Sequence, residues 1–210
     1  MKIRVLLVED QKIMQKYFAS MVQGDERFLL VDVLNDGEKA VSYCNHTVVD
    51  LVLMDVQTFQ NHDGLLAAET IKKQHPAVKI IVITSLVDPE ILTRAKEKGA
   101  DSLWYKDGDE GTLMQVVRRT MAGEHIFPDA PPSVEIGTAM SAEFTKGEMK
   151  VLRCLVRGLS YNEIAKELGI EPSTVKYHVI NMLQKTNLEN KLQLAIAATE
   201  AKLVVELAEE

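Results

Sequence analysis

The chain has 210 residues, 46% hydrophobic and 26% charged, and 24 Lys/Arg against 31 Asp/Glu leave a net charge of −7. That length suits two ordinary domains, and the composition excludes a disordered chain or a fibrous repeat. No apolar run reaches the roughly 18 residues of a spanning helix, and the acid pair Glu9-Asp10 interrupts the N-terminus before a signal-peptide core develops, so no membrane contact and a cytoplasmic location are expected.

In chain order, continuous apolar runs occupy 3–8, 28–34, 49–54, 80–83 and 102–105, and helix-period segments fall near 12–22, 37–44, 64–74, 89–98 and 110–122. Strands that read as near-continuous apolar runs are buried on both faces. Five strand–helix alternations therefore predict an α/β domain, a doubly wound five-stranded parallel sheet with helices on each side, over residues 1–125. Residues 126–143 hold Pro128, Pro131, Pro132 and Gly137 without either period and read as an extended linker. Helical segments near 145–157, 161–168, 172–186 and 190–204 then predict a smaller all-α domain over 144–210. That domain carries nine basic and nine acidic residues, so the first 143 residues, with 15 and 22, hold the whole net charge. Cys44 and Cys154 share no metal-ligand spacing and read as inert thiols in helices.

Ligands of an open parallel sheet sit beyond the carboxyl ends of its strands. There the sequence places Glu9-Asp10 after the first strand, Asp55 after the third, Thr84 after the fourth and Lys106 after the fifth. Singly, Asp10 reads equally well as a helix cap, Lys106 as a solvated lysine and Thr84 as an ordinary β-branched strand residue. Together they converge on one edge. Three carboxylates so close repel, and either a proton is retained or a hard cation neutralises them. Mg²⁺ suits such an open cluster because it keeps several waters and accepts phosphate oxygens. The set fits phosphoryl transfer to a carboxylate: Asp55 as nucleophile, with Lys106 and the Thr84 hydroxyl on phosphate oxygens.

These residues, within VLLVED ending at Asp10, LVLMDV around Asp55, DGL at 63–65, IVITS around Thr84 and GAD…YKD around Lys106, resemble the receiver domain of two-component response regulators. The resemblance implies a flavodoxin-like fold, a phosphate-accepting Asp55, Mg²⁺ held by Glu9, Asp10, Asp55 and the Gln57 carbonyl, and switch residues Thr84 and Lys106. Three departures stand out. Phe59 replaces the usual proline four residues after the acceptor. One extra residue separates Asp55 from Asp63-Gly64, so that loop is expected to differ in shape. Leu103 stands where an aromatic commonly reports phosphorylation, and strand alternation sends Trp104 to the opposite face.

In the second domain Tyr161 to Lys185 reads as helix, tight turn, helix. Gly169 suits the end of the first and Pro172 the first turn of the second. Val175, Val179, Met182 and Leu183 form a buried stripe, and no acid occurs from Pro172 to Leu188, where Lys176, Lys185 and His178 lie. The stretch from Phe144 to about Ala198, with GLSYNEIAKELGI…STVKYHV, resembles the LuxR-type helix-turn-helix found in response regulators of the NarL/FixJ group. By position, that resemblance assigns double-stranded DNA contacts to Thr174, Lys176, Tyr177 and Ile180, with Lys185 and Lys191 near phosphates. Glu171 replaces the usual serine before the helix, a weaker cap that still suits the helix dipole.

The combined reading is a response regulator and not an enzyme: a sensor histidine kinase phosphorylates Asp55, and a homodimer then binds paired promoter half-sites to regulate transcription. The alternative is a phosphorylation-independent DNA-binding regulator whose degenerate receiver serves dimerisation. A small-molecule phosphatase with an aspartate nucleophile would need a second acid for the leaving group and a roofed pocket, and the sequence shows neither.

Overall fold

Strand and helix periods alternate through the first unit as the sequence predicts. β1 (Ile3–Val8), β2 (Phe28–Leu34), β3 (Leu51–Asp55), β4 (Lys79–Thr84) and β5 (Ser102–Tyr105) are joined by α1 (Lys12–Gln23), α2 (Gly37–His46), α3 (Gly64–Gln74) and α4 (Pro89–Glu97), and α5 (Glu110–Met121) follows. The computed structural model describes residues 2–106 and 110–204; Asp107 of the YKD motif and residues 205–210 of the second predicted domain lie outside the described residues. All neighbouring strands pair in parallel, in the order β2-β1-β3-β4-β5. The order reverses at β1, so the crevice beyond β1 and β3 is where this topology places a ligand.

Each residue of β3 is buried, and its side chains alternate between two cores. Leu51 and Leu53 join Val5, Leu7, Ile81 and Ile83 against Phe18 and Val22 of α1 and Leu113 and Val117 of α5. Val52 and Met54 join Leu6, Val8 and Ile80 against Ala40 of α2 and Ala67, Ala68 and Ile71 of α3. β3 begins two residues later than the apolar run suggests; just before it the Asp50 backbone donates to the Arg4 carbonyl at 2.9 Å and accepts from the Lys79 N–H at 3.0 Å, and its carboxylate accepts from the Arg4 backbone N–H and guanidinium at 2.7–2.9 Å.

The chain passes from the first compact unit to the second between Pro131 and Pro132. The segment read as an extended linker is more structured than expected. Leu103 donates its backbone N–H to Ile126 at 2.9 Å. β6 (Glu135–Ile136) and β7 (Ala139–Met140) form an antiparallel hairpin that buries Ile136 and Ala139. Two-residue strands are too short to show a period, and Gly137 at φ +60° supplies the left-handed turn.

The second unit contains α6 (Lys146–Val156), α7 (Tyr161–Leu168), α8 (Pro172–Thr186) and α9 (Lys191–Glu200). Two reciprocal capping boxes start its helices: Thr145 with Glu148 on α6 and Ser160 with Glu163 on α7. Gly169 ends α7 at φ +65°, and Pro172 opens α8 behind Glu171, whose side chain makes no capping bond. Val175, Val179 and Met182 are buried on α8 and Leu183 packs at the margin. Cys44 and Cys154 are buried free thiols, and burial pushes both up to about 11, which keeps them protonated and unreactive. No helix among the described residues is long and apolar enough to cross a membrane.

Candidate functional site

Parallel pairing of β1 with β3 sets Val8 beside Met54, so Glu9 and Asp55 emerge together at the strand ends. Glu9, Asp10 and Asp55 each offer an oxygen within 4.8 Å of the others. Lys106 arrives from the end of β5 with its Nζ 2.6 Å from Glu9 Oε2 and 2.6 Å from Asp55 Oδ2. Glu9 and Asp55 are buried and the Lys106 side chain is only 6% exposed, while Asp10 is half-buried. Burial pushes the Asp55 carboxyl up to about 7; the charges of Glu9 and Asp10 add to this and the Lys106 ammonium opposes it. Burial works against the charge on Lys106, yet Asp55 and Glu9 hold that group above its ordinary value. Three carboxylates, one of them the buried nucleophile Asp55, with Lys106 as counter-charge form a cluster capable of binding a divalent cation.

Thr84 is fully buried at the end of β4, and its carbonyl accepts the Lys106 backbone N–H at 2.8 Å. Asp10 does not cap α1: Gln11 holds that position, without a side-chain bond. Gln57 forms an isolated antiparallel bridge with Asp63, and its side chain donates to Asn61 Oδ1 at 2.8 Å. Beyond it the extra residue is absorbed by a tight turn over Phe59–Asn61, in which Gln60 and Asn61 take φ of 61° and 62°. Left-handed non-glycine residues carry strain, and asparagine tolerates that region better than most. Phe59 is 44% exposed, and the Lys39 ammonium lies 5.9 Å from its ring centre.

Two features of this edge escape sequence reasoning. Asp63 caps α3 by accepting from the Leu65 N–H at 2.8 Å and also pairs with Arg94 of α4. Gly64 passes so close to Asp55 that a Cβ there would lie 1.9 Å from the Asp55 carbonyl oxygen. The DG pair was visible as part of a motif, but nothing in it announced how near the loop runs to the acceptor. Trp104 stacks edge-on against Phe18 at 6.3 Å and donates to Thr112 at 3.1 Å, in the core beside α1 and α5.

In the second unit Lys176, Tyr177 and Ile180 share the exposed face of α8, the last two 62% and 41% exposed, and Thr174 is half-buried on its first turn. Lys191 opens α9 with its ammonium 5.0 Å from the Tyr161 ring centre. His178 is turned inward, onto Gly147 of α6, where an added Cβ would meet its imidazole at 2.9 Å. The Lys185 Nζ donates to Glu148 Oε2 at 2.7 Å and to the Glu143 carbonyl at 2.8 Å, so two of its donors are engaged inside the unit.

Comparison with known proteins decides the family. The family model for the response regulator receiver domain matches residues 5–118, and that for bacterial regulatory proteins of the luxR family matches residues 142–198. The chain belongs to the response regulators. Its relatives include the response regulator protein VraR of Staphylococcus epidermidis and that of Staphylococcus aureus, each 30% identical over 209 residues, or 97% of this chain and 100% of the relative. Among solved structures, RcsB, described as two dimers bound to two parallel DNAs, matches with a TM-score of 0.64 over 95% of this chain and 98% of that one, at 19% identity, which speaks for the fold alone. The response regulator is thus of the NarL/FixJ type, with a receiver followed by a LuxR-type DNA-binding domain.

Proposed function

We propose that this response regulator accepts a phosphoryl group on Asp55 from a sensor histidine kinase and answers with sequence-specific binding of double-stranded DNA as a homodimer, regulating transcription in the cytoplasm. The domain assignment is a receiver over 1–125, a linker over 126–143 and a helix-turn-helix domain over 144–210. The observation that carries this reading is the single buried lysine bridging Glu9 and Asp55 at 2.6 Å to each, on the strand edge where the topology places a ligand.

Asp55 attacks as a carboxylate. A carboxylate oxygen forms the new O–P bond as the N–P bond of a phosphohistidine breaks, and the imidazole leaves with the electron pair and takes up a proton. Glu9, Asp10, Asp55 and the Gln57 carbonyl would hold Mg²⁺, which supplies charge neutralisation for the phosphoryl oxygens when bound. Lys106 is already within reach of Asp55 and exchanges a carboxylate partner for a phosphate oxygen, with the Thr84 hydroxyl as the second donor. The chain receives the group and turns over no substrate of its own, so its role is that of a phosphorylated switch. Moving a two-state equilibrium from about 1:99 to 99:1 takes roughly 5.5 kcal/mol of differential stabilisation.

On the helical unit, Thr174, Lys176, Tyr177 and Ile180 form the face that enters the major groove, with Ile180 suited to a thymine methyl and Lys191 to a backbone phosphate. A neutral module with few cations binds weakly alone, so two copies on paired half-sites are required, in keeping with the RcsB dimers on DNA. The left-handed turn at Gln60-Asn61 favours the second reading, a receiver that dimerises without phosphate. One experiment separates the two: molecular size and duplex binding of wild type and Asp55→Ala at fixed salt, with and without Mg²⁺ and beryllofluoride. The phosphorylation switch requires wild type alone to dimerise and tighten on DNA. Equal binding by both proteins, indifferent to the mimic, overturns it in favour of the second reading.

A further inference from the structure

The last carbonyls of a helix have no partner within it, and their fate says what holds that end in place. At the C-terminal end of α8 the partner is the β6–β7 hairpin. The Thr138 backbone N–H donates to the Thr186 carbonyl at 3.0 Å and the Thr138 hydroxyl to the Lys185 carbonyl at 3.0 Å. Gly137 runs so near that a Cβ would stand 2.1 Å from the Thr186 oxygen. The Lys185 side chain reaches the same segment further on: Nζ donates to the Glu143 carbonyl at 2.8 Å and to Glu148 Oε2 at 2.7 Å, and lies 5.9 Å from the Phe144 ring centre. Glu148 is 3% exposed and its Oε2 also accepts the Thr145 N–H at 2.8 Å, so one buried carboxylate starts α6 and anchors α8. Burial alone would raise this carboxyl, but Lys185 and Thr145 hold it below its ordinary value.

We propose that Lys185 is a positioning residue for DNA readout, tying the end of α8 to Glu148 and the Glu143 carbonyl, and that it is not a phosphate ligand. The inference rests on the DNA-binding reading of α8. Two of the three Lys185 ammonium donors are held by Glu148 and the Glu143 carbonyl, and swinging the group out onto a phosphate would strip a buried carboxylate of its cation, which is costly. As a strut it acts instead through the helix. Ile180 and Tyr177 lie about 7.5 and 12 Å up the axis, so a tilt at the held end moves their side chains against the base edges. Base contacts specify sequence and phosphate contacts supply salt-dependent affinity, which makes the two roles separable.

The test uses the full chain with two probes: a pool of random-sequence duplexes sequenced after selection, and one arbitrary duplex titrated over a range of salt. Lys185→Met and Glu148→Gln are each expected to cut the enrichment of the preferred sequence about tenfold, the scale of one lost base contact, and to leave the salt slope unchanged. The double variant should lose no more than either single one. Lys191→Met is the contrast, lowering the slope by about 0.9. Thr138→Val removes one bond at the same helix end and should reduce enrichment in the same direction, which keeps the test decisive where Lys185→Met unfolds the domain. A Lys185→Met protein that loses about 0.9 of slope equally on all sequences, beside an unaffected Glu148→Gln, overturns the inference while the DNA-binding reading stands. A wild type that binds no duplex overturns both.

Discussion

Replacing Asp55 by asparagine tests whether the acid cluster stores repulsion in the folded receiver. The Asp55 carboxyl stands near 7 against an ordinary 3.8, chiefly from burial. Three units at about 1.36 kcal/mol each set a ceiling of roughly 4 kcal/mol on the cost of ionising it in the fold. Because the folded state holds the proton more tightly than the unfolded one, stability is present at low pH and is lost as pH rises from about 4 through about 7, with little further change above. Between about pH 5.5 and about pH 8 the share lost is about 2 kcal/mol. The protein has one tryptophan, and Trp104 is buried in the first unit, so its fluorescence during urea unfolding reports that unit alone. The Asp55→Asn protein carries every other ionisable side chain unchanged, so the difference between the two proteins isolates Asp55. Wild type should lose about 2 kcal/mol more than Asp55→Asn over that interval in the absence of divalent cations. Parallel pH slopes for the two proteins would refute the argument that burial and neighbouring carboxylates hold Asp55 protonated.

Divalent cation should stabilise the same transition, by about 2.7 kcal/mol at a concentration about 100 times its Kd, and Asp55→Asn should remove most of the gain; equal gains in both proteins would place the cation elsewhere. Gly64→Ala forces a Cβ to within 1.9 Å of the Asp55 carbonyl oxygen, so the loop must move. A loss of about 1–3 kcal/mol in Trp104-detected unfolding is expected, together with weaker beryllofluoride binding, and unchanged binding would separate the loop from the site. Asp101 is buried and accepts from Lys72 and Lys79 at 2.7 and 2.9 Å and from the Ile80 N–H at 2.9 Å. Asp101→Asn should cost about 2 kcal/mol, discounted from a fully buried pair because both lysines keep about a quarter of their exposure. The two lysines and the Ile80 N–H outweigh burial and hold this carboxyl below its ordinary value, so its contribution is complete above about pH 4 and fades below. A deficit that changes between about pH 5 and pH 7 would contradict that assignment.

The sequence by itself carried the order of elements and the chemistry of the strand ends. A residue that ends an apolar run in a parallel sheet has its position set by the ladder, and so Glu9, Asp10, Asp55, Thr84 and Lys106 were legible together. The helical stripe of α8, its glycine stop and its proline start are local and were legible for the same reason. The capping boxes at Thr145–Glu148 and Ser160–Glu163 were also within reach, as an S/T-x-x-E spacing before an apolar-periodic run. Two-residue strands carry no period, and the hairpin at 135–140 could not be read.

Tertiary structure decided where each charge is spent. Lys106 follows a strand and Lys185 sits in the last turn of a helix, and one closes on a buried nucleophile while the other closes on the buried carboxylate that starts α6. Asp63 and Arg94 are 31 residues apart and meet only because the fold brings the Arg94 side chain of α4 to the start of α3. A side chain's type and its periodic face follow from covalent neighbours, whereas the partner that fixes its charge is chosen by packing between distant segments, and only the folded chain brings those together.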